Sequence, residues 1–139
     1  MYCKKMIYSE ESKLELIGQG TYKGFKYYVI NLGTHPTAYV GIAKGRKYWG
    51  YDYHDIPINV HGDLTYSDDR LFGGRVEVKQ WIIGWDYAHW GDYLGWYMSH
   101  PELMGVNDKK WTTEEIIEDC KSVIDQIVEA ENNEEKTTD

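Results

Sequence analysis

The sequence predicts an α+β domain: an antiparallel β-sheet meander with long aromatic loops and a C-terminal amphipathic helix packed on one face. Three observations predict it. Two runs rich in β-branched and aromatic residues, 25–32 (FKYYVINL) and 37–43 (TAYVGIA), flank a short Gly33-Thr34-His35-Pro36 connection, the pattern of neighbouring antiparallel strands. Near the C-terminus Ile116, Ile117, Cys120, Val123, Ile124, Ile127 and Val128 recur at helical spacing along one stripe. The 139 residues, 42% hydrophobic and 27% charged, suit one globular core and exclude a disordered or fibrous chain.

Each element follows from local chemistry. Residues 13–17 read as a short strand with Leu14 and Leu16 on one side, and Gly18, Gly20 and Gly24 punctuate turns or bulges. Residues 45–55 form a loop by composition, and Pro57 limits any strand there. Residues 58–66 can extend, broken at Gly62, and 67–74 read as a turn-rich loop. The next strong strand is 75–85 (RVEVKQWIIGW). Residues 86–107, glycine-rich and aromatic without a clean period, read as a long ordered loop, a class that usually carries function. Thr112 with Glu115 three residues on is a capping box, and Glu114 and Glu115 suit the positive end of the helix that follows. The expected organisation is a single domain over 1–131 and an acidic flexible tail over 132–139.

Composition narrows the classes. No run of 18 apolar residues spells a membrane span, and Lys4 and Lys5 precede no apolar stretch of a secretory signal. Cys3 and Cys120 lie near opposite ends, not a disulfide framework, so a reducing cytoplasm is the expected setting. Residues 1–111 balance 13 acids against 13 bases, whereas 112–139 carry ten acids against Lys121 and Lys136. The acidic end reads as a solubilising device. The overall acidity excludes a genomic nucleic-acid partner, which needs a cationic footprint.

Within the body the signs separate. Residues 16–51 contain no acid but carry Lys23, Lys26, Lys44, Arg46 and Lys47, interleaved with tyrosines and Trp49. The chain holds 13 Tyr and 6 Trp against 2 Phe, rings with a flat face and a polar tip that serve pockets as well as cores. Cations for phosphate and rings for a base suit a small phosphorylated, nucleotide-like ligand. Lys44, Arg46, Lys47, Tyr48 and Trp49 are the candidates for it.

Phosphate-loop, dinucleotide, nucleophile-elbow, zinc-protease and CxxC signatures are all absent. Histidine and aspartate instead gather beside glycine in two places, DYHD followed by VHGDLTY (52–66) and GWDYAHWGDY (84–93). Imidazole with carboxylate can hold a divalent metal or act as a base with its orienting partner. His61, Asp86, His89 and Asp92 are therefore the catalytic candidates if the protein is an enzyme. The same His61, Asp86 and His89, with Thr65, Tyr66, Trp85 and Trp90, would hydrogen-bond or stack on a bound ligand. No dedicated cofactor is implied; a divalent metal remains open.

These stretches resemble a family of small uncharacterised phage and prophage proteins carrying a V-H-G-G-L-T-[YF]-S motif followed by G-[WF]-D-x-A-H-x-G-D. The similarity covers about residues 37–128. His61, Gly62, Leu64, Thr65, Tyr66 and Ser67 match the first motif; Gly84, Asp86, Ala88, His89, Gly91 and Asp92 match the second. Asp63 departs from the usual glycine, and aspartate tolerates a left-handed backbone. The resemblance implies a phage-type accessory protein, of a kind that often blunts host defences, for instance by sequestering an immune nucleotide signal. It supplies no reaction. Three expectations follow: a binding protein for a small anionic ligand, homo-oligomeric in assembly; a hydrolase of a phosphoester or glycosidic bond; or an inhibitor that binds a host protein.

Overall fold

The computed structural model describes residues 15–31, 35–71, 76–88 and 109–137. Five strands, β1 (Glu15–Tyr22), β2 (Phe25–Asn31), β3 (Pro36–Ile42), β4 (Tyr66–Leu71) and β5 (Val76–Asp86), form one antiparallel sheet in the order β1-β2-β3-β5-β4. A single α-helix, α1 (Thr113–Thr137), packs across β1, β2 and β3, which makes the α+β class expected from the sequence. The first three strands are the meander. After β3 the chain crosses to the outer edge, so β5 rather than β4 is the neighbour of β3.

The β1–β2 hairpin turns through Lys23 (φ 50°) and Gly24 (φ 85°), the doubly left-handed two-residue turn that matches strand twist. Strand β1 does not stop at its glycines. Gly18 lets Thr113 and Ile117 of α1 approach, and Gly20 lies under the Tyr27 ring, where a Cβ would collide with it. The turn-rich reading of 67–74 is corrected too. Residues Tyr66–Leu71 are strand β4, whose Ser67, Asp68, Asp69 and Arg70 are the polar residues an exposed sheet edge carries against unwanted pairing.

One face of the sheet carries Phe25, Tyr27 and Val29, Ala38, Val40 and Ile42, and Ile83 and Trp85, and against it lie Ile116, Cys120, Val123, Ile124 and Ile127 of α1. This is the predicted stripe. Ile30 and Ile82 on the other face are also fully buried, so the sheet centre is apolar on both sides. Thr112 and Glu115 exchange their predicted hydrogen bonds: Glu115 N donates to Thr112 Oγ1 at 3.1 Å and Thr112 N to Glu115 Oε1 at 3.0 Å. The helix then continues to Thr137, through residues expected to belong to the tail. Among the described residues no helix is long and apolar enough to cross a membrane.

Candidate functional site

Beyond β3 the chain makes three successive reverse turns. Arg46 N donates to Ala43 O at 3.1 Å, Trp49 N to Arg46 O at 3.2 Å and Tyr51 N to Tyr48 O at 3.0 Å. Tyr48 holds a left-handed backbone (φ 70°), a conformation costing about 1–2 kcal/mol in a residue with a Cβ. Its ring is anchored in the core, which throws Trp49 and Tyr51 outward. At 41% and 47% exposure these are the large hydrophobic side chains left exposed among the described residues. Trp81 of β5 steadies the loop: its indole N–H donates to Tyr51 O at 2.8 Å, and its ring lies 6.4 Å from that of Trp49. The Lys44 ammonium stands 5.8 Å from the Trp49 ring centre.

Opposite this loop run the last turns of α1. The Arg46 guanidinium grips Glu131 with two parallel bonds of 2.8 Å, Nε to Oε2 and Nη2 to Oε1, while the Lys47 backbone N–H reaches Oε2 at 3.2 Å. The Lys47 ammonium pairs with Glu134. Behind the fork Arg46 lies 4.3 Å from the Phe25 ring centre. Arg46 holds the Glu131 carboxyl below the usual carboxylate range, chiefly by hydrogen bonding. Between loop and helix opens a cleft of about 610 Å³, lined by Arg46, Lys47, Tyr48, Trp49 and Tyr51 and by Glu131, Asn132 and Glu134.

The described residues of the two histidine and aspartate motifs, up to Ala88 in the second, meet in space, but on different sides of β5. Thr65 N donates to Gly84 O at 2.9 Å, Tyr66 faces Gly84 across the β4–β5 pair, and Thr65 Oγ1 lies 3.5 Å from Asp86 Oδ2. Strand alternation sends Trp85 and Tyr87 toward the helix and Asp86 away from it. His61 stacks on Tyr87 with ring centres 5.1 Å apart and planes 7° from parallel, and Trp111 leans on both rings. The Tyr87 hydroxyl accepts from Trp85 Nε1 at 3.0 Å and donates to Asp119 at 2.6 Å. Burial, reinforced by Asp119, pushes its pKa far above that of free tyrosine. Tyr87, which the sequence motif left without a role, is thus the hub joining both motifs to the helix.

On the opposite face Tyr39 crosses Gly84 to meet Tyr66 edge-on at 5.4 Å. Asp86 there also accepts Ala88 N at 3.2 Å, a turn contact. In the DYHD stretch, Asp52 Oδ1 accepts from both His54 N (2.9 Å) and His54 Nδ1 (2.8 Å), capping a single 3₁₀ turn. Gly62 and Asp63 both take positive φ, 69° and 65°, so Asp63 occupies the left-handed turn position expected of it. His89, Trp90 and Asp92 lie outside the described residues. Among those described, no group of three or more His, Cys, Asp or Glu side chains is placed to hold a metal ion.

The helix measures how far apart these clusters lie. Tyr87 contacts Asp119 and Arg46 contacts Glu131, a separation of about 18 Å along the axis at about 1.5 Å per residue. The described candidate residues therefore divide into two stations: Lys44, Arg46, Lys47, Tyr48 and Trp49 at the C-terminal end of α1, and a second group near its N-terminal half that the sheet itself splits, His61 and Trp85 on the helix side and Thr65, Tyr66 and Asp86 on the far side. The cleft also recruits Tyr51, Glu131, Asn132 and Glu134, which sequence reasoning passed over. Their one legible signal was complementarity: an acid-free basic segment and an acidic helix in the same small domain. Three of the acidic residues also pair within the fold, Asp125 with Lys23, Glu131 with Arg46 and Glu134 with Lys47.

Fold and site define an α+β domain with a helix-backed antiparallel sheet and an aromatic, charge-lined cleft at the helix end. No protein-family model, curated protein or solved structure matches the chain.

Proposed function

We propose that this protein is a phage-type accessory protein of the bacterial cytoplasm. It holds a small planar, phosphorylated ligand of nucleotide type in the cleft beside Tyr48–Tyr51, without turning it over. The observation that carries the reading is the convergence of Arg46, Lys47, Tyr48 and Trp49 on one cleft, whose lining includes the exposed rings of Trp49 and Tyr51. Such rings supply a stacking platform for a base, worth about 1–3 kcal/mol per base in single-strand binders, and Arg and Lys supply the phosphate contacts. The strained Tyr48 backbone keeps the platform turned outward, the kind of strain that persists where a site needs it. Binding without turnover is the chemistry of sequestration, for instance of a nucleotide signal used in host immunity.

Turnover finds less support. The pleat places Asp86 and the His61–Tyr87 stack on opposite sides of β5. A thermal-shift screen with nucleoside monophosphates, cyclic nucleotides and ADP-ribose derivatives tests the proposal, each hit being recovered by chromatography. A ligand that raises Tm, returns intact and loses its effect in Trp49→Ala supports it. A ligand returned converted makes the protein an enzyme. One further observation favours a second reading: exposed Trp and Tyr beside Arg is also the composition of a protein-binding hot spot. A host protein captured through Trp49, with no small-molecule shift, would establish that reading instead.

A further inference from the structure

Three N–H groups, Arg46 Nε, Arg46 Nη2 and Lys47 N, converge on the single carboxylate of Glu131. This is the fork geometry with which arginine recognises carboxylates and phosphates alike, completed by a backbone donor. The site is built, and the chain's own helix fills it. That occupant is a poor resident of its own helix. Glu134 sits in the last turn of α1, at the negative end of its dipole, and Glu131 lies three residues before it on the same side, a like-charge neighbour. Arg46 has a second contact, the Phe25 ring 4.3 Å from its guanidinium, that does not depend on the carboxylate.

Resting on the ligand reading above, we propose that Glu131 and Glu134 are a built-in, displaceable occupant of an anion site. The phosphoryl group of the ligand takes over the Arg46–Lys47 cradle, and the helix end over residues 131–137 lifts from the loop. A phosphomonoester is the fitting class, because its dianion offers three oxygens where Glu131 offers two. The Lys47–Glu134 pair, with its carboxylate mostly exposed, contributes little. The bidentate Arg46–Glu131 pair is the stronger contact, and the phosphoryl oxygens must replace its hydrogen bonds one for one.

The test titrates adenosine 5′-monophosphate, inorganic phosphate and adenosine by calorimetry, at low salt, into wild type, E131A/E134A and E131Q. Emptying the cradle should tighten adenosine monophosphate by about tenfold in the double variant, about 1.4 kcal/mol. Phosphate should gain in parallel and adenosine should not. In the wild type, amide exchange over 131–137 should accelerate on saturation. Glu131→Gln keeps the helix and the side-chain length, and should show the same direction with a several-fold gain even if the double variant folds poorly. Equal or weaker binding of adenosine monophosphate in the variants overturns the displacement while leaving the cleft as the ligand site. Failure of all three probes on every protein overturns both.

Discussion

Replacing Tyr87 by Phe removes one oxygen from the centre of the motif cluster and leaves the ring in place. Trp85 Nε1 then loses its acceptor in a position 1% exposed, and Asp119 loses a donor at 2.6 Å. A buried donor left unsatisfied costs about 1–3 kcal/mol, and a hydrogen bond to a charged group contributes about 1.5–3 kcal/mol. Asp119 is only half-buried and recovers part of its loss from water, so the net expectation is about 2–4 kcal/mol. At an intermediate ~4 °C per kcal/mol for a chain of this size, Tm falls by about 8–16 °C. Urea unfolding followed by circular dichroism reads the loss directly, with the midpoint shifted and the slope unchanged. Asp119→Asn, which keeps an acceptor oxygen, should cost distinctly less.

The same residue sets an alkaline signature. Its folded pKa is raised, so its contribution is complete below about pH 10, where the unfolded phenol begins to ionise, and is lost as pH rises further. The Phe variant should lose part of that alkaline slope, Tyr66, pushed up to about 12 by burial, supplying some of what remains. A Tyr87→Phe loss under about 1 kcal/mol, or an unchanged alkaline slope, would refute the hub assignment.

Gly84→Ala should destabilise by about 1–3 kcal/mol, since its Cβ would fall 2.5 Å from Tyr39 Cδ1 and 2.9 Å from Ala38 O. In a Tyr39→Ala background the part of the penalty due to the ring should vanish while the contact with Ala38 O remains, and a double-mutant cycle with no coupling would contradict the ring-over-glycine packing. Cys120, buried and pushed up to about 12 by desolvation, should react with a disulfide reagent no faster than the protein unfolds; rapid labelling of the native fold at Cys120 would contradict this. Asp63→Gly should leave Tm and ligand response nearly unchanged, because φ 65° suits glycine at least as well, whereas a drop of several degrees would assign Asp63 a contact beyond the turn. On the acid side Arg46 lowers the Glu131 pKa, so its ion pair stabilises above about pH 4.5 and is lost as pH falls through the folded value. The protection factors of the amides over 131–137, which remove the intrinsic pH dependence of exchange, should therefore fall as pH drops below about 4.5, and protection that stays flat would show that Arg46 does not hold the helix end.

What could be read in the sequence was whatever is written at short range. The capping box at Thr112 and Glu115, the helix stripe and the paired runs of β2 and β3 are all local patterns, and each became the element its spacing dictates. Strand β4 was illegible because an edge strand is selected for polar residues that imitate a loop. Strand β1 was shortened because Gly18 and Gly20 read as breakers, and only the tertiary structure shows Ile117 and Tyr27 needing the space. The basic and aromatic residues of the cleft stood out by clustering. Their partner Glu131 lies 85 residues from Arg46, beyond any local pattern. Likewise the histidine and aspartate motifs were legible as motifs, but the parity of β5, which parts Asp86 from Tyr87, appears only once the strand register is known.

The central claim is that a phosphorylated planar ligand occupies the cleft at the C-terminal end of α1. Backbone amide chemical shifts of isotope-labelled protein, followed during titration with adenosine 5′-monophosphate, test it most directly. The account predicts saturable shifts concentrated at residues 44–51 and 131–134, with the Trp49 indole among the largest and His61 and Tyr87 unmoved. Shifts centred instead on His61, Thr65 and Asp86 would place the site at the other station, and no saturable shift would contradict the account.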